Sequence, residues 1–228
     1  GQVLSILGTN GAGKSTLLNC LANLFRPCTG DIFLEGQPMS SMSIGQVAKV
    51  IGYVPQIHTP AYAYTVEEFT VMGRTPYIGA FSRPSKEDYR LAGESLKRMN
   101  IYHLKDKPYT EISGGERQQV TIARALTQKP KIILLDEPTA HLDYGNQYRT
   151  VQMVKQLAEE GYTIIITTHN PDHAIVLGGQ VAILDRHGVL TVGQAEEVLT
   201  TQTLSSLYEL NIKTPYDEDA KRKICVVC

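Results

Sequence analysis

Short apolar runs recur along the chain at residues 3–7, 51–54, 132–135, 163–167 and 181–184. Each has the length of a buried strand, and most are separated by stretches that can hold helices. That alternation predicts an α/β fold with a mostly parallel sheet covered on both faces. Residues 31–36 alternate and end in Gly36, which predicts an antiparallel edge strand; residues 189–192 resemble another. Between Val66 and Gln128 the strand signal vanishes. Residues 66–73, 86–100 and 116–128 look helical there, joined by turns such as Arg74-Thr75-Pro76-Tyr77. The pattern divides the chain into an α/β unit over residues 1–214, a helical subdomain inserted in it at about residues 66–128, and a charged tail over residues 215–228. Blocks of both signs over residues 217–223 predict that this tail is solvated.

Composition changes little in that picture. The chain has 228 residues, 42% of them hydrophobic and 20% charged, as in ordinary globular proteins. A net charge of −1 leaves no electrostatic footprint for nucleic acid. No run reaches the roughly 18 apolar residues of a membrane span, and no signal peptide is evident. The chain therefore reads as cytosolic or peripheral to a membrane. It opens on Gly1 rather than Met, almost directly into the first strand, which reads as a beginning that is missing or trimmed. Cys20 reads as a core filler and Cys28 as a turn residue. Cys225 and Cys228 form a C-x-x-C without a second ligand pair, and read as part of an unstructured tail. His58, His103, His173 and His187 lack ligand-like spacing and read as surface or loop residues. Tyr62, Tyr64 and Tyr77 either meet a partner's helix or cover the core.

The chemistry is concentrated at the first strand's end. Gly8-Thr9-Asn10-Gly11-Ala12-Gly13-Lys14-Ser15-Thr16 fits a phosphate-binding loop, preceded by the apolar run 3–7 and followed by a helical stretch over residues 17–25. Its glycines let backbone N–H groups form a concave nest for phosphate oxygens. A helix starting at Lys14 aims its positive dipole end at the same point. Lys14 adds a charge for the terminal phosphates, and the Ser15 hydroxyl can ligate Mg²⁺. The site predicted is one for a nucleoside triphosphate.

A second motif is the apolar strand that ends in Asp136-Glu137-Pro138. Strand C-termini of a parallel sheet form its ligand crevice. Asp136 there is suited to holding Mg²⁺. Side chains alternate along a strand, so Glu137 points elsewhere and can deprotonate a water for attack on a γ-phosphate. A third motif, Ser113-Gly114-Gly115-Glu116, opens a helix and predicts a second anion site.

This order of motifs resembles the nucleotide-binding (ATPase) subunit of ABC transporters over nearly the whole chain. The resemblance implies a P-loop NTPase fold with ATP and Mg²⁺ as ligands. It makes Gln56 the Q-loop glutamine that senses Mg²⁺ and the γ-phosphate, Ser113 to Glu116 the signature, Asp143 the D-loop aspartate, with His141 beside it, and His169 the switch histidine. It implies a head-to-tail dimer in which each ATP lies between one chain's phosphate loop and the other's signature. It also implies integral membrane permease subunits, touched by the helical insertion and the Q-loop at the cytoplasmic face of the cell membrane. A periplasmic or extracellular solute-binding protein acts indirectly. Residues 65–77 resemble the subfamily serving iron–siderophore, haem and cobalamin importers, and molybdate importers share that stretch. A soluble ABC ATPase outside transport and a non-catalytic nucleotide-binding module are the competing readings. Glu116 stands where the family most often has Gln, and Arg117 is the candidate partner for its charge. The family places an adenine-stacking aromatic before the phosphate loop, and no residue before Gly8 can play that part. Stacking of that kind is worth about 1–3 kcal/mol per base in single-strand nucleic-acid binders, so weak ATP binding is expected of this chain.

Overall fold

All five apolar runs form strands of one sheet. The computed structural model describes residues 1–56, 63–79 and 81–228. His58 and Tyr62 lie outside the described residues. In chain order the sheet takes β1 (Val3–Leu7), β4 (Ile51–Val54), β5 (Ile132–Asp136), β6 (Thr163–Thr168), β7 (Gln180–Leu184) and β8 (Leu190–Gln194). Their spatial order is β4-β5-β6-β1-β7-β8. The first five are parallel, and β8 closes one edge antiparallel to β7. Burial on both faces explains why the parallel strands read as unbroken apolar runs. In the register of the sheet, Leu7 pairs with Thr168, and Asp136 pairs with Thr167. The ends of β5, β6 and β1 therefore lie side by side at one edge.

Residues 31–36 depart from expectation. Phe33–Leu34 (β2) and Gln37–Pro38 (β3) form a separate antiparallel hairpin, not an edge of the main sheet. Glu35 and Gly36 both take positive φ, 51° and 79°, the signature of a two-residue hairpin turn. The turn ends the strand before it can reach the sheet.

Helix α1 (Lys14–Leu21) follows the phosphate loop and stops four residues before Phe25, leaving Leu24 and Phe25 exposed. A short α2 (Ile44–Ala48) precedes β4. Three helices, α3 (Val66–Val71), α4 (Lys86–Arg98) and α5 (Gly114–Thr127), pack on one another. Each opens with a reciprocal capping box: Thr65 with Glu68, Ser85 with Asp88, Ser113 with Glu116. Their buried faces share one core with β5 and β6, running from Phe69 and Leu96 through Ile122 to Ile133 and Ile164. Phe69 stacks on Tyr109 at 4.3 Å. A single 3-10 turn over Met72–Tyr77 carries Gly73, where a Cβ would lie 2.1 Å from the Arg124 carbonyl oxygen. Tyr64 packs against this core, while Tyr77 is exposed, with the Arg74 guanidinium 4.0 Å from its ring centre.

Helix α6 (Tyr144–Glu159) leads to β6, and α7 (Pro171–Leu177) to β7. After β8 come α8 (Ala195–Val198) and α9 (Thr201–Tyr208), then the strand pairs β9 (Ile212–Lys213) with β12 (Val226–Val227) and β10 (Tyr216–Asp217) with β11 (Arg222–Lys223). The final residues are thus not unstructured, although the charged stretch from Glu218 to Lys221 is solvent-exposed as expected. The free edge of β9 accepts β12, and Cys225 packs against the cluster that includes Leu7, Ile183 and Leu207. Burial, followed by the Asp172 charge, pushes the Cys225 thiol up to about 11, which keeps it protonated and unreactive at neutral pH.

Candidate active site

The phosphate loop is built by close approach. A Cβ on Gly8 would lie 2.6 Å from the Leu184 carbonyl oxygen, so a side chain there would push β1 from β7. Gly11 and Gly13 take φ of +81° and +98°, left-handed values that disfavour other residues. Gly13 is also the N-cap of α1, so the loop's turn and the helix's dipole end coincide. Lys14 is 4% exposed and lies folded under the loop. Its Nζ donates to the carbonyls of Gly8 at 2.9 Å and Thr9 at 3.1 Å, and pairs with Glu137 Oε1 at 3.0 Å.

Asp136, the last residue of β5, is buried. Its Oδ1 accepts from Thr167 Oγ1 at 2.7 Å and from Ser15 Oγ at 3.1 Å, and its Oδ2 from Tyr53 OH at 3.4 Å. Burial, and then the Asp136 charge, push the Tyr53 phenol up to about 12, so it remains a donor. Ser15 and Asp136 converge as hard oxygen groups within 3.1 Å of each other, a donor set that fits Mg²⁺.

Glu137 leaves the strand at φ +43°, a strained value for a residue with a side chain. Its N–H donates to Thr167 Oγ1 at 2.9 Å, which holds the turn. Its carboxylate lies between Lys14 Nζ and His169 Nδ1, 3.0 and 3.2 Å away. Burial pushes the Glu137 carboxyl up, but the hydrogen bond and charge of Lys14, helped by His169, hold it below the usual range. Glu137 is therefore ionised at neutral pH, with its charge engaged by Lys14.

Lys14, Ser15, Glu137 and His169 border a cavity of about 580 Å³. Of the residues singled out from sequence, Asn10, Gly11, Gly13, Thr16 and Gln56 line it with them. Gly8, Ala12 and Asp136 lie behind that lining, and Ser113, Gly114, Gly115, Glu116 and Asp143 do not line it either. The signature instead meets the start of α6: a Cβ on Gly115 would lie 3.0 Å from the Asn146 side chain. Asp143, the N-cap of α6, holds Asn146 through its N–H at 2.8 Å and its Nδ2 at 2.6 Å. The Glu116 charge pairs with Ser113 rather than Arg117. Its Oε2 accepts from the Ser113 N–H at 2.7 Å and hydroxyl at 2.6 Å, and these bonds hold its carboxyl below the ordinary range.

The cavity also includes residues to which the sequence assigned no role at the nucleotide. His173, expected at the surface, lines it, with Nδ1 3.4 Å from both Thr139 Oγ1 and Thr168 Oγ1. Its Nε2 faces Asn170 Nδ2 at 3.3 Å. Burial, and then the nearby His169, push its pKa down, so the ring is neutral. The signal available was the four-residue spacing from His169 across the start of α7. His141 and Gln147 line the cavity as well.

Residues 1–140 match the family model described as ABC transporter. The chain belongs to the ABC transporter ATP-binding family. An uncharacterised ABC transporter ATP-binding protein of Haemophilus influenzae is 40% identical over 91% of this chain and 79% of its own length. The molybdate import ATP-binding protein MolC of the same organism is 36% identical over 92% of this chain and 78% of its own. The iron(3+)-hydroxamate import ATP-binding protein FhuC of Bacillus subtilis is 31% identical over 99% of this chain and 84% of its own. Among solved structures, an inward-facing metal-chelate type ABC transporter matches with a TM-score of 0.87 and 31% identity, over 100% of this chain and 86% of that one. The dimeric structure of a bacterial ABC transporter cassette matches with a TM-score of 0.72 and 30% identity, over 85% of each chain. The ABC ATPase fold is thus a P-loop NTPase with a mostly parallel sheet and an antiparallel edge, and ATP is the nucleotide that its family binds. Among the described residues no helix is long and apolar enough to cross a membrane.

Proposed function

We propose that this chain is the ATP-hydrolysing subunit of an importer for a metal chelate such as an iron–siderophore, haem or cobalamin. The observation that supports hydrolysis is the Glu137 carboxylate between Lys14 and His169, beside the Ser15–Asp136 pair; the likeness to the FhuC protein and to the metal-chelate type transporter supports the cargo. When a triphosphate enters, Lys14 exchanges the Gly8 and Thr9 carbonyls for phosphate oxygens, and the loop N–H groups close around them. Glu137, freed from Lys14, takes a proton from the water that attacks the γ-phosphate, while the bond from the γ-phosphorus to the β–γ bridging oxygen breaks and ADP leaves with that oxygen. His169 holds Glu137 and the γ-phosphate in line with each other. Ser15 and Asp136 would hold Mg²⁺, with Gln56 at the cavity wall; bound there, the ion neutralises charge on the phosphate oxygens.

The signature lies outside this cavity; if it acts on nucleotide, a second chain must present it. A second copy, head to tail, would bring Ser113, Gly114, Gly115 and Glu116 to the nucleotide, with Asp143 at the junction. ATP then favours the closed dimer by its differential affinity for it. Permease subunits in the membrane would receive that motion at the cytoplasmic face, with a solute-binding protein acting further out.

A molybdate importer is the second reading, favoured by the 36% identity to MolC. Deleting the gene in its host and measuring uptake of labelled ferric hydroxamate, haem, cobalamin and molybdate tests both. Loss of chelate uptake is expected; loss of molybdate uptake alone selects the second reading. Unchanged uptake of all four, or no ATP turnover by the purified subunit with its permease, sinks the proposal.

A further inference from the structure

The loop that carries His169 is short. Only His169 and Asn170 separate β6 from α7. Its backbone is held from outside the nucleotide motifs, by the C-terminal part of the chain. Tyr208, the last residue of α9, donates its hydroxyl to the His169 carbonyl oxygen at 2.7 Å. Just inside α7, Asp172 Oδ1 accepts from the Cys225 N–H at 3.2 Å and from Arg222 Nη1 at 3.4 Å. Both ends of the loop are therefore tied to residues 208–228.

The ties are themselves anchored. Leu204 and Leu207 of α9 are buried in the same cluster as Leu7 and Ile183, and Tyr208 and Cys225 pack against it. Glu209 ends the helix at φ +57°, which fixes where Tyr208 stops. Burial pushes the Tyr208 phenol well above its ordinary pKa, so its hydroxyl stays a donor at neutral pH. The His169 ring, by contrast, is 49% exposed and reaches Glu137 from one side. With so open a ring, the backbone beneath it sets whether Nδ1 meets Glu137.

We infer that Tyr208, assisted by the Asp172 contacts to Arg222 and Cys225, is a positioning residue for His169. The inference rests on Glu137 and His169 being the hydrolytic pair proposed above. Tyr208 does not line the cavity; it holds the carbonyl of His169, which does. A misplacement of about 1 Å in a catalytic group can cost on the order of 10²-fold in rate, and loss of one of several ties should cost less.

Tyr208→Phe keeps the ring and its packing and removes only the hydroxyl. Hydrogen–deuterium exchange of the full chain should then show faster exchange at residues 168–173, with exchange in the phosphate loop and the thermal midpoint unchanged. ATP turnover should show kcat lowered about tenfold with KM for ATP unchanged. Asp172→Ala, which removes the acceptor of the Cys225 and Arg222 bonds, should move the same two readouts in the same direction. Unchanged exchange at residues 168–173 overturns the inference, whatever the activity. So does faster exchange with unaltered kcat. A wild-type chain that hydrolyses no ATP would instead sink the proposed function, and the exchange measurement would still decide whether Tyr208 holds the loop.

Discussion

Glu137 Oε1 lies 3.0 Å from Lys14 Nζ, so the candidate base and the phosphate-binding lysine neutralise each other before nucleotide arrives. If Glu137 is the base proposed above, an incoming phosphate would compete for the lysine and release the carboxylate, and binding would then activate the base.

Glu137→Gln keeps the shape and removes the proton acceptor. Turnover should fall by about 10²–10⁴-fold, the usual contribution of a general base. ATP should still bind and hold two chains together, which sedimentation velocity with and without ATP will show. Turnover at the wild-type rate would remove Glu137 from this role.

The pH dependence has a definite sign. The Glu137 carboxyl is held below its ordinary value of 4.5, so the Lys14 pair stabilises the fold above that pH and is lost as pH falls through the lower folded value. His173 acts in the same direction at higher pH. Its folded pKa lies below the ordinary 6.5, so the unfolded chain takes a proton first and stability declines as pH drops below that value. NMR titration of the His173 ring should give a midpoint below 6.5. A midpoint at or above it would show that the ring is not sequestered.

Ser113 caps α5 and also receives Glu116. Ser113→Ala should cost about 1 kcal/mol, the usual value of an N-cap. Glu116→Gln should be nearly neutral in denaturant midpoint, because Gln at the third helical position can accept the same Ser113 bonds. A large loss from Glu116→Gln would mean that its charge, not its hydrogen bonds, is what the site requires.

Gly73→Ala tests the packing of the helical unit on α5. The new Cβ would sit 2.1 Å from the Arg124 carbonyl oxygen, against backbone that cannot rotate away. The denaturant midpoint should fall by the equivalent of about 1–3 kcal/mol or more. An unchanged midpoint would show that the 3-10 turn separates from α5 at little cost.

Much of this architecture was legible along the chain. The five parallel strands announce themselves because burial on both faces demands uninterrupted apolar residues. The phosphate loop is legible because a backbone nest needs glycines at fixed offsets, and Gly11 and Gly13 take the left-handed conformations that this implies. The partner of Glu116 was also within reach, since a Ser followed three residues later by Glu is a capping pattern, although Arg117 is the adjacent charge. The hairpin at Glu35-Gly36 and the pairing of β12 with β9 were less accessible. Two-residue strands carry no period, and a charged run conceals the half-buried Cys225.

By itself, the sequence determined the α/β pattern, the phosphate loop and the acidic strand end, because burial and backbone geometry leave local, periodic marks; Gln56 and His169 stood out only through the family resemblance of the motif order. The meeting of Lys14, Glu137 and His169, the entry of His173 into the cavity and the hold of Tyr208 on the His169 carbonyl were decided only by the tertiary structure. They depend on β6 lying between β5 and β1 and on α9 reaching back across the sheet's end. Such long-range neighbours are chosen by how whole elements pack, and that choice leaves no local period along the chain.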